Sequence, residues 1–247
     1  MLLGVDHLVI AVSDPDDAVT RLSSMLGVEP SGGGRHDLFG TFNRLIWFGD
    51  SFVELIGVFD RSTALNSWLG APTVRALDDG GGLATWAVAT DDIWREIERL
   101  RAGGANLEDP VAGARRRPDG STVRWWFSLP PRLGPHDPPF LIEHDTTAAE
   151  WSQADRVARA ASPARLRALD LTVGDVGDAA DRYARTLGLG WDLTSKVSGD
   201  VEARLGSQVI RLHAGDEGAS IPTIGIVIDG EVNRSFELFG CRWVVNG

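Results

Sequence analysis

A short apolar strand followed at once by an aspartate-capped helix recurs along this chain, and that repetition restricts its fold more than any other feature. Val5-Asp6-His7-Leu8-Val9-Ile10-Ala11-Val12 reads as a buried strand. Ser13-Asp14-Pro15 is a helix start: a capping side chain, then proline in the first turn. Ala18, Val19, Leu22, Met25 and Leu26 then fall at helical spacing, and Gly27 stops the helix. Thr41 to Phe48, Gly49-Asp50 and Ser51 to Val58 read as two strands joined by a two-residue hairpin loop. The pattern returns at Leu83 to Ala89, where Asp91-Asp92 opens a helix carrying Ile93, Ile97 and Leu100, with strands at Val123 to Leu129 and Phe140 to Glu143. A third pass runs from Leu166 to Val173, through a helix from about Gly177 to Leu187 capped by Asp175, to strands near Val201 to Leu205 and Gln208 to His213. Ile221 to Ile228 resembles the first strand of a fourth unit that the chain does not complete. The spacing is too uneven for a solenoid and suits a duplicated domain.

Composition narrows the function classes. With 24 Lys+Arg against 35 Asp+Glu, a net charge of -11, the chain repels phosphate backbones, so nucleic acid is not an expected partner. The basic run Arg115-Arg116-Arg117 before Pro118-Asp119-Gly120 reads as an exposed turn flank. The lone Cys241 excludes a disulfide framework and a cysteine-rich zinc site. Apolar runs such as Leu8 to Val12 are too short to cross a bilayer, and the first residues do not read as a signal peptide. A soluble cytoplasmic protein, with no membrane partner, is the expectation.

The hairpin arithmetic sorts side chains by face. A two-residue loop at Gly49-Asp50 opposes Phe48 to Ser51, Trp47 to Phe52, Leu45 to Glu54 and Asn43 to Ile56. Opposed residues share a face. One face therefore carries Asn43, Leu45, Trp47, Phe52, Glu54 and Ile56, a carboxylate and an amide among aromatics, which suits a pocket rather than a core. Arg44 falls on the other face, where it is out of place unless it reaches an edge. By the same alternation Trp125 and Phe127 share one face of a later strand, and Arg124 and Trp126 the other.

Several of these segments resemble the glyoxalase and extradiol dioxygenase family, the vicinal oxygen chelate superfamily. They are Asp6 to Val12, the helix ending in Leu26-Gly27, and Glu54-Leu55-Ile56. Gly33-Gly34-Arg35-His36, Gly40-Thr41-Phe42-Asn43, Phe48 to Ile56, Ala84 to Val88 and Arg117 to Gly120 look like the narrower group of glyoxalase-like domain proteins. The resemblance implies an α+β fold of repeated βαβββ modules, whose curled mixed sheets form a cup with helices outside. Paired modules are expected over residues 1–145, a linker over 146–163, and a third, degenerate module plus part of a fourth over 164–247.

In the family, metal ligands come from the first and last strands of each module. Those positions are His7 and Glu54 in the first module, and Thr85 and Glu143 in the second. Threonine is a poor ligand, so the expected set is His7, Glu54 and Glu143, holding zinc, iron, manganese or nickel. Such an ion would bind a substrate through two neighbouring oxygens and act as a Lewis acid in isomerase, lyase or dioxygenase chemistry, with Glu54 or Glu143 as base. His36, Asn43, Trp47, Phe52, Arg124, Trp125 and Phe127 are the expected substrate contacts. His36 lies in a glycine-rich stretch read as a loop, where it either folds inward as a substitute ligand or stays exposed. The rival reading is a metal-free binding protein of the drug-sequestering, bleomycin-resistance kind. It is motivated by the missing ligand and the aromatic cup. In the second half Ala168 stands where His7 does in the first, and Asp170, Arg204 and Arg211 are expected to form salt bridges. A homodimer is plausible from the incomplete fourth unit.

Overall fold

The computed structural model describes residues 1–116, 120, 122–145, 162–194, 199–216, 221–228 and 232–247. The first half is a ring of eight strands. Its members are β1 (Leu2–Ala11), β2 (Pro30–His36), β3 (Thr41–Phe48), β4 (Ser51–Val58), β5 (Gly82–Thr90), β6 (Val111–Arg116), β7 (Thr122–Ser128) and β8 (Phe140–His144). They are ordered β1-β4-β3-β2-β6-β7-β8-β5, with β5 returning to β1. Parallel pairs β1/β4 and β5/β8 mix with antiparallel ones. Among the described residues β2 and β6 meet through a single pair, Arg35 with Arg116.

Helices α1 (Pro15–Leu26) and α4 (Ile93–Ala102) lie outside the ring. Asp14 caps α1 and Asp92 caps α4 by accepting from first-turn N–H groups, as their spacing from the strands requires. Leu22, Leu26, Ile93, Ile97 and Leu100 pack with Leu8, Ile10, Val53, Leu55, Trp86 and Val88, so Leu8 and Ile10 of β1 and Trp86 and Val88 of β5 face the helices. Each such fully buried side chain contributes roughly 1.5–3 kcal/mol. Arg44 also lies on this outer face, where it ends at the edge on Asp16 of α1 at 2.7 Å.

Residues 164–247 build a second sheet. Its strands are β9 (Ala164–Val173), β10 (Asp192–Leu193), β11 (Val201–Leu205), β12 (Gln208–Ala214), β13 (Thr223–Ile228), β14 (Arg234–Leu238) and β15 (Cys241–Asn246). Their order is β10-β11-β12-β9-β13-β15-β14, with helix α5 (Val176–Leu187) after β9. Its apolar residues, among them Leu169, Ile210, Ile224 and Trp243, merge with the ring's outer layer into one core. Trp86 of the ring stacks on Tyr183 of α5 with centroids 6.1 Å apart. Arg211 bridges Asp170 and Glu202, each at 3.1 Å.

The structure departs from the sequence expectation at several elements. Residues 30–36 are a strand, not a loop, because their backbone pairs with β3 whatever their small side chains. Helices α2 (Arg61–Leu65) and α3 (Gly70–Asp78), unassigned in the sequence, lead from β4 to β5. The proline-rich loop 130–139 joins the two halves, since Arg75 donates to Leu133 O and Tyr183 Oη to Asp137 O. The expected linker lies outside the described residues except for Ser162 and Pro163, as does the turn at Pro118-Asp119.

Candidate functional site

The inner face of the ring forms a hollow of about 590 Å³, counting the space open to solvent. The hairpin register is as counted: Trp47 opposes Phe52, Leu45 opposes Glu54, and Asn43 opposes Ile56. Val9 pairs with Glu54 across β1/β4, which places His7, two residues earlier, on the same inner face. Glu54 is 5% exposed and lies at the centre of the polar groups. Asn43 Nδ2 donates to its Oε1 at 2.5 Å, and Asn43 Oδ1 in turn accepts from Gly34 N at 2.8 Å. His7 Nε2 stands 3.6 Å from Glu54 Oε2, and His36 Nε2 stands 3.9 Å from Oε1. His36 reaches this point because β2 is a strand beside β3, with its Nδ1 3.1 Å from Thr41 Oγ1.

Behind His7 lies a pair that the sequence reading missed. Asp6 Oδ1 is 2.6 Å from His7 Nδ1, and Asp6 Oδ2 is 3.0 Å from His144 Nε2. In a regular strand neighbours face opposite ways. Here β1 pairs Val5 with Val88 and His7 with Ala87, so Asp6 is the extra residue of a bulge and turns inward with His7. Burial opposes ionisation of Asp6, but the charges and hydrogen bonds of His144 and His7 outweigh it and hold the carboxyl far below the usual range. An ionised Asp6 accepts only, so His7 carries its proton on Nδ1 and His144 on Nε2. His7 then turns Nε2 towards Glu54.

Aromatic rings wall the hollow. His7 stacks on Phe52 at 4.6 Å and meets Phe140 edge-on at 5.5 Å. Trp68, between α2 and α3, packs on Phe39, Phe127 and Phe140. The sequence signal that could have marked this region is Asp60, which caps α2 by accepting from Thr63 N. Trp125 lines the hollow, as the alternation of β7 predicts. Trp47 and Phe127 share the inner side but back the lining, Trp47 against Phe52 at 4.7 Å and Phe127 against Trp68 at 4.7 Å.

Two expected site residues point elsewhere. Glu143 is a correction: its Oε2 accepts from Ile93 N at 2.8 Å, at the start of α4, because β8 turns Phe140, Ile142 and His144 inward and Glu143 out. Arg124 is another: it is exposed on the outer face of β7, the face that also carries Trp126. The partner of Glu54 in the second module is Phe140, which opposes Ala87 as Glu54 opposes Val9. Thr85, in the place of His7, has a buried hydroxyl with no hydrogen-bond partner among the described residues. The donors implied for zinc, iron, manganese or nickel are therefore not assembled. Among the described residues no group of three His, Cys, Asp or Glu side chains is placed to hold a metal ion.

A family model described as the glyoxalase-like domain matches residues 5–189, from within β1 through the rest of the ring to β9 and α5 of the second half. No curated protein matches the sequence. A hypothetical protein from Staphylococcus aureus has the same fold, with TM-score 0.82 at 13% identity, covering 100% of this chain and 99% of that one. Methylmalonyl-CoA epimerase from Mycobacterium tuberculosis superposes with TM-score 0.42 at 23% identity, over 57% of this chain and 86% of that one. The Streptomyces coelicolor methylmalonyl-CoA epimerase in complex with 2-nitronate-propionyl-CoA gives 0.44 at 20% identity, over 60% and 99%.

Proposed function

Because this chain belongs to the glyoxalase-like domain family of the vicinal oxygen chelate superfamily, we propose that its ring binds and turns over a small molecule with adjacent oxygens, Glu54 moving the proton. The observation that carries this reading is the setting of Glu54: a buried carboxylate, one oxygen held by Asn43, facing two imidazole nitrogens inside an aromatic wall. Asn43 occupies Oε1 and leaves Oε2 to take a proton from carbon beside a carbonyl. His7, held at Nδ1 by the Asp6 carboxylate, presents Nε2 to the hollow and, when that nitrogen also carries a proton, can give it to the developing enolate oxygen. Phe52, Phe140 and Trp125 hold the apolar part of the ligand and exclude water, which strengthens both interactions.

The aromatic wall also favours a second reading, a sequestering protein that binds without turnover. Incubating the protein with a panel of 2-oxo and 2-hydroxy carbonyl compounds in deuterated water separates the two. Wild-type protein is expected to place deuterium beside the carbonyl of at least one compound. The E54Q variant should do so about 10²–10⁴-fold more slowly. Tryptophan quenching by the panel without isotope uptake would leave sequestration as the function. Unchanged uptake in E54Q would remove Glu54 as the base. Repeating the assay after chelation, and with added zinc, manganese, nickel or iron, tests dependence on a metal.

A further inference from the structure

Among the described residues, none of the side chains lining the hollow comes from the second sheet. We infer that Gln208, at the start of β12 in that sheet, is a positioning residue that holds the Asp6–His7 bulge of β1 in shape.

The β1/β4 ladder starts at His7 and Phe52, so the backbone of Val5 lies beyond the end of β4 on that edge. Side chains take over there. Gln208 Oε1 accepts from Val5 N at 3.2 Å, and Ser51 Oγ donates to Val5 O at 2.7 Å. Gln208 Nε2 donates to Ser51 Oγ at 3.3 Å, closing the three groups into a ring of hydrogen bonds. Gln208 is 7% exposed and Ser51 1%, so the three groups are largely withdrawn from bulk solvent and satisfied by one another. Val5 is the residue immediately before the bulge.

The approach is built into both strands. Gly4 has φ +145°, and a side chain there would run into Gln208 Oε1. Gly206, in the turn before β12, comes so close to Leu3 O that a side chain there would collide with it. Two glycines thus admit one glutamine to the edge of β1. Without Gln208 the Val5 N–H loses its side-chain acceptor, and β1 is released towards a regular strand. A regular strand turns Asp6 away from His7, which breaks the Asp6 bonds to His7 and His144 together. The geometric claim stands without any function for the hollow; its catalytic consequence rests on the Glu54 reading.

The test follows imidazole N–H signals of the full chain by ¹H–¹⁵N NMR. There are five histidines, so H7Q and H144Q variants assign the two signals that matter. In wild-type protein the His7 Nδ1–H and His144 Nε2–H should exchange slowly. In Q208L and Q208N both should exchange at least about tenfold faster, with the His36 and His213 signals in place. Q208E, which keeps an acceptor for Val5 N–H, should restore part of the protection. R211A, which breaks the Asp170 and Glu202 bridges on the same sheet, should leave both signals unchanged. Should Q208L not fold, Q208N, shorter by one methylene, carries the test. Wild-type signals in folded Q208N would overturn the inference. Equal loss in R211A would also overturn it, since any loosening of the second sheet would then suffice. E54Q distinguishes the two readings: losing isotope uptake there with the imidazole signals intact concerns the base alone.

Discussion

Asp6 is a buried carboxylate whose charge is kept by two imidazoles, and this has a consequence for acid stability. Its folded pKa lies well below the value near 3.9 of an unfolded chain. The stability it contributes is therefore present in full above that unfolded value, and is lost as pH falls towards the folded one. The D6N variant should lose about 3 kcal/mol at pH 7, because two imidazoles lose a buried partner. The gap to wild type should narrow as pH drops below about 4, which urea unfolding at pH 7 and pH 3 measures; a gap constant with pH would contradict it. Asp6 was not legible as a site residue, since strict alternation sends it away from His7 and a one-residue bulge cannot be read from apolar patterning. His7, Glu54 and Asn43 were legible. A two-residue loop leaves the hairpin one register, the apolar pattern marks the strand of His7, and the resemblance singles out His7 within it.

At the level of elements, β8 shows how a shift of one residue changes a role. Phe140, Ile142 and His144 face inward, so the acid between the last two faces α4. Glu143 there works with the Asp92 cap and places negative charge at a helix N-terminus. The E143Q variant should cost about 1 kcal/mol in thermal or urea unfolding and leave ligand quenching and isotope uptake unchanged. A loss of turnover with unchanged stability would restore Glu143 to the site. The resemblance implied Glu143 as the last-strand ligand of the second module, whereas the inner positions follow from the pairing of Ala87 with Phe140, which only the fold reveals. Strand β2 was hidden for a different reason. Gly32-Gly33-Gly34 carries no apolar pattern, and its place is set by backbone bonds and by the Asn43 amide.

Across the whole molecule, the repeated strand and capped helix marked out the α+β layout, because each unit buries one face and needs a neighbour. What the repeats did not show is how the second sheet meets the ring, since that depends on close approaches such as Gln208 at Gly4. The β1/β5 contact runs from Leu2 to Ala11, whereas β2 and β6 share one described pair. Backbone amides of β2 should exchange with solvent faster than those of β3 and β4, as mass spectrometry of deuterated peptides would show; uniform protection around the ring would argue against it. His36 lies on β2 whereas Glu54 is held in β4, so the 3.9 Å between imidazole and carboxylate is only as constant as the seating of that one glycine-rich strand against β3.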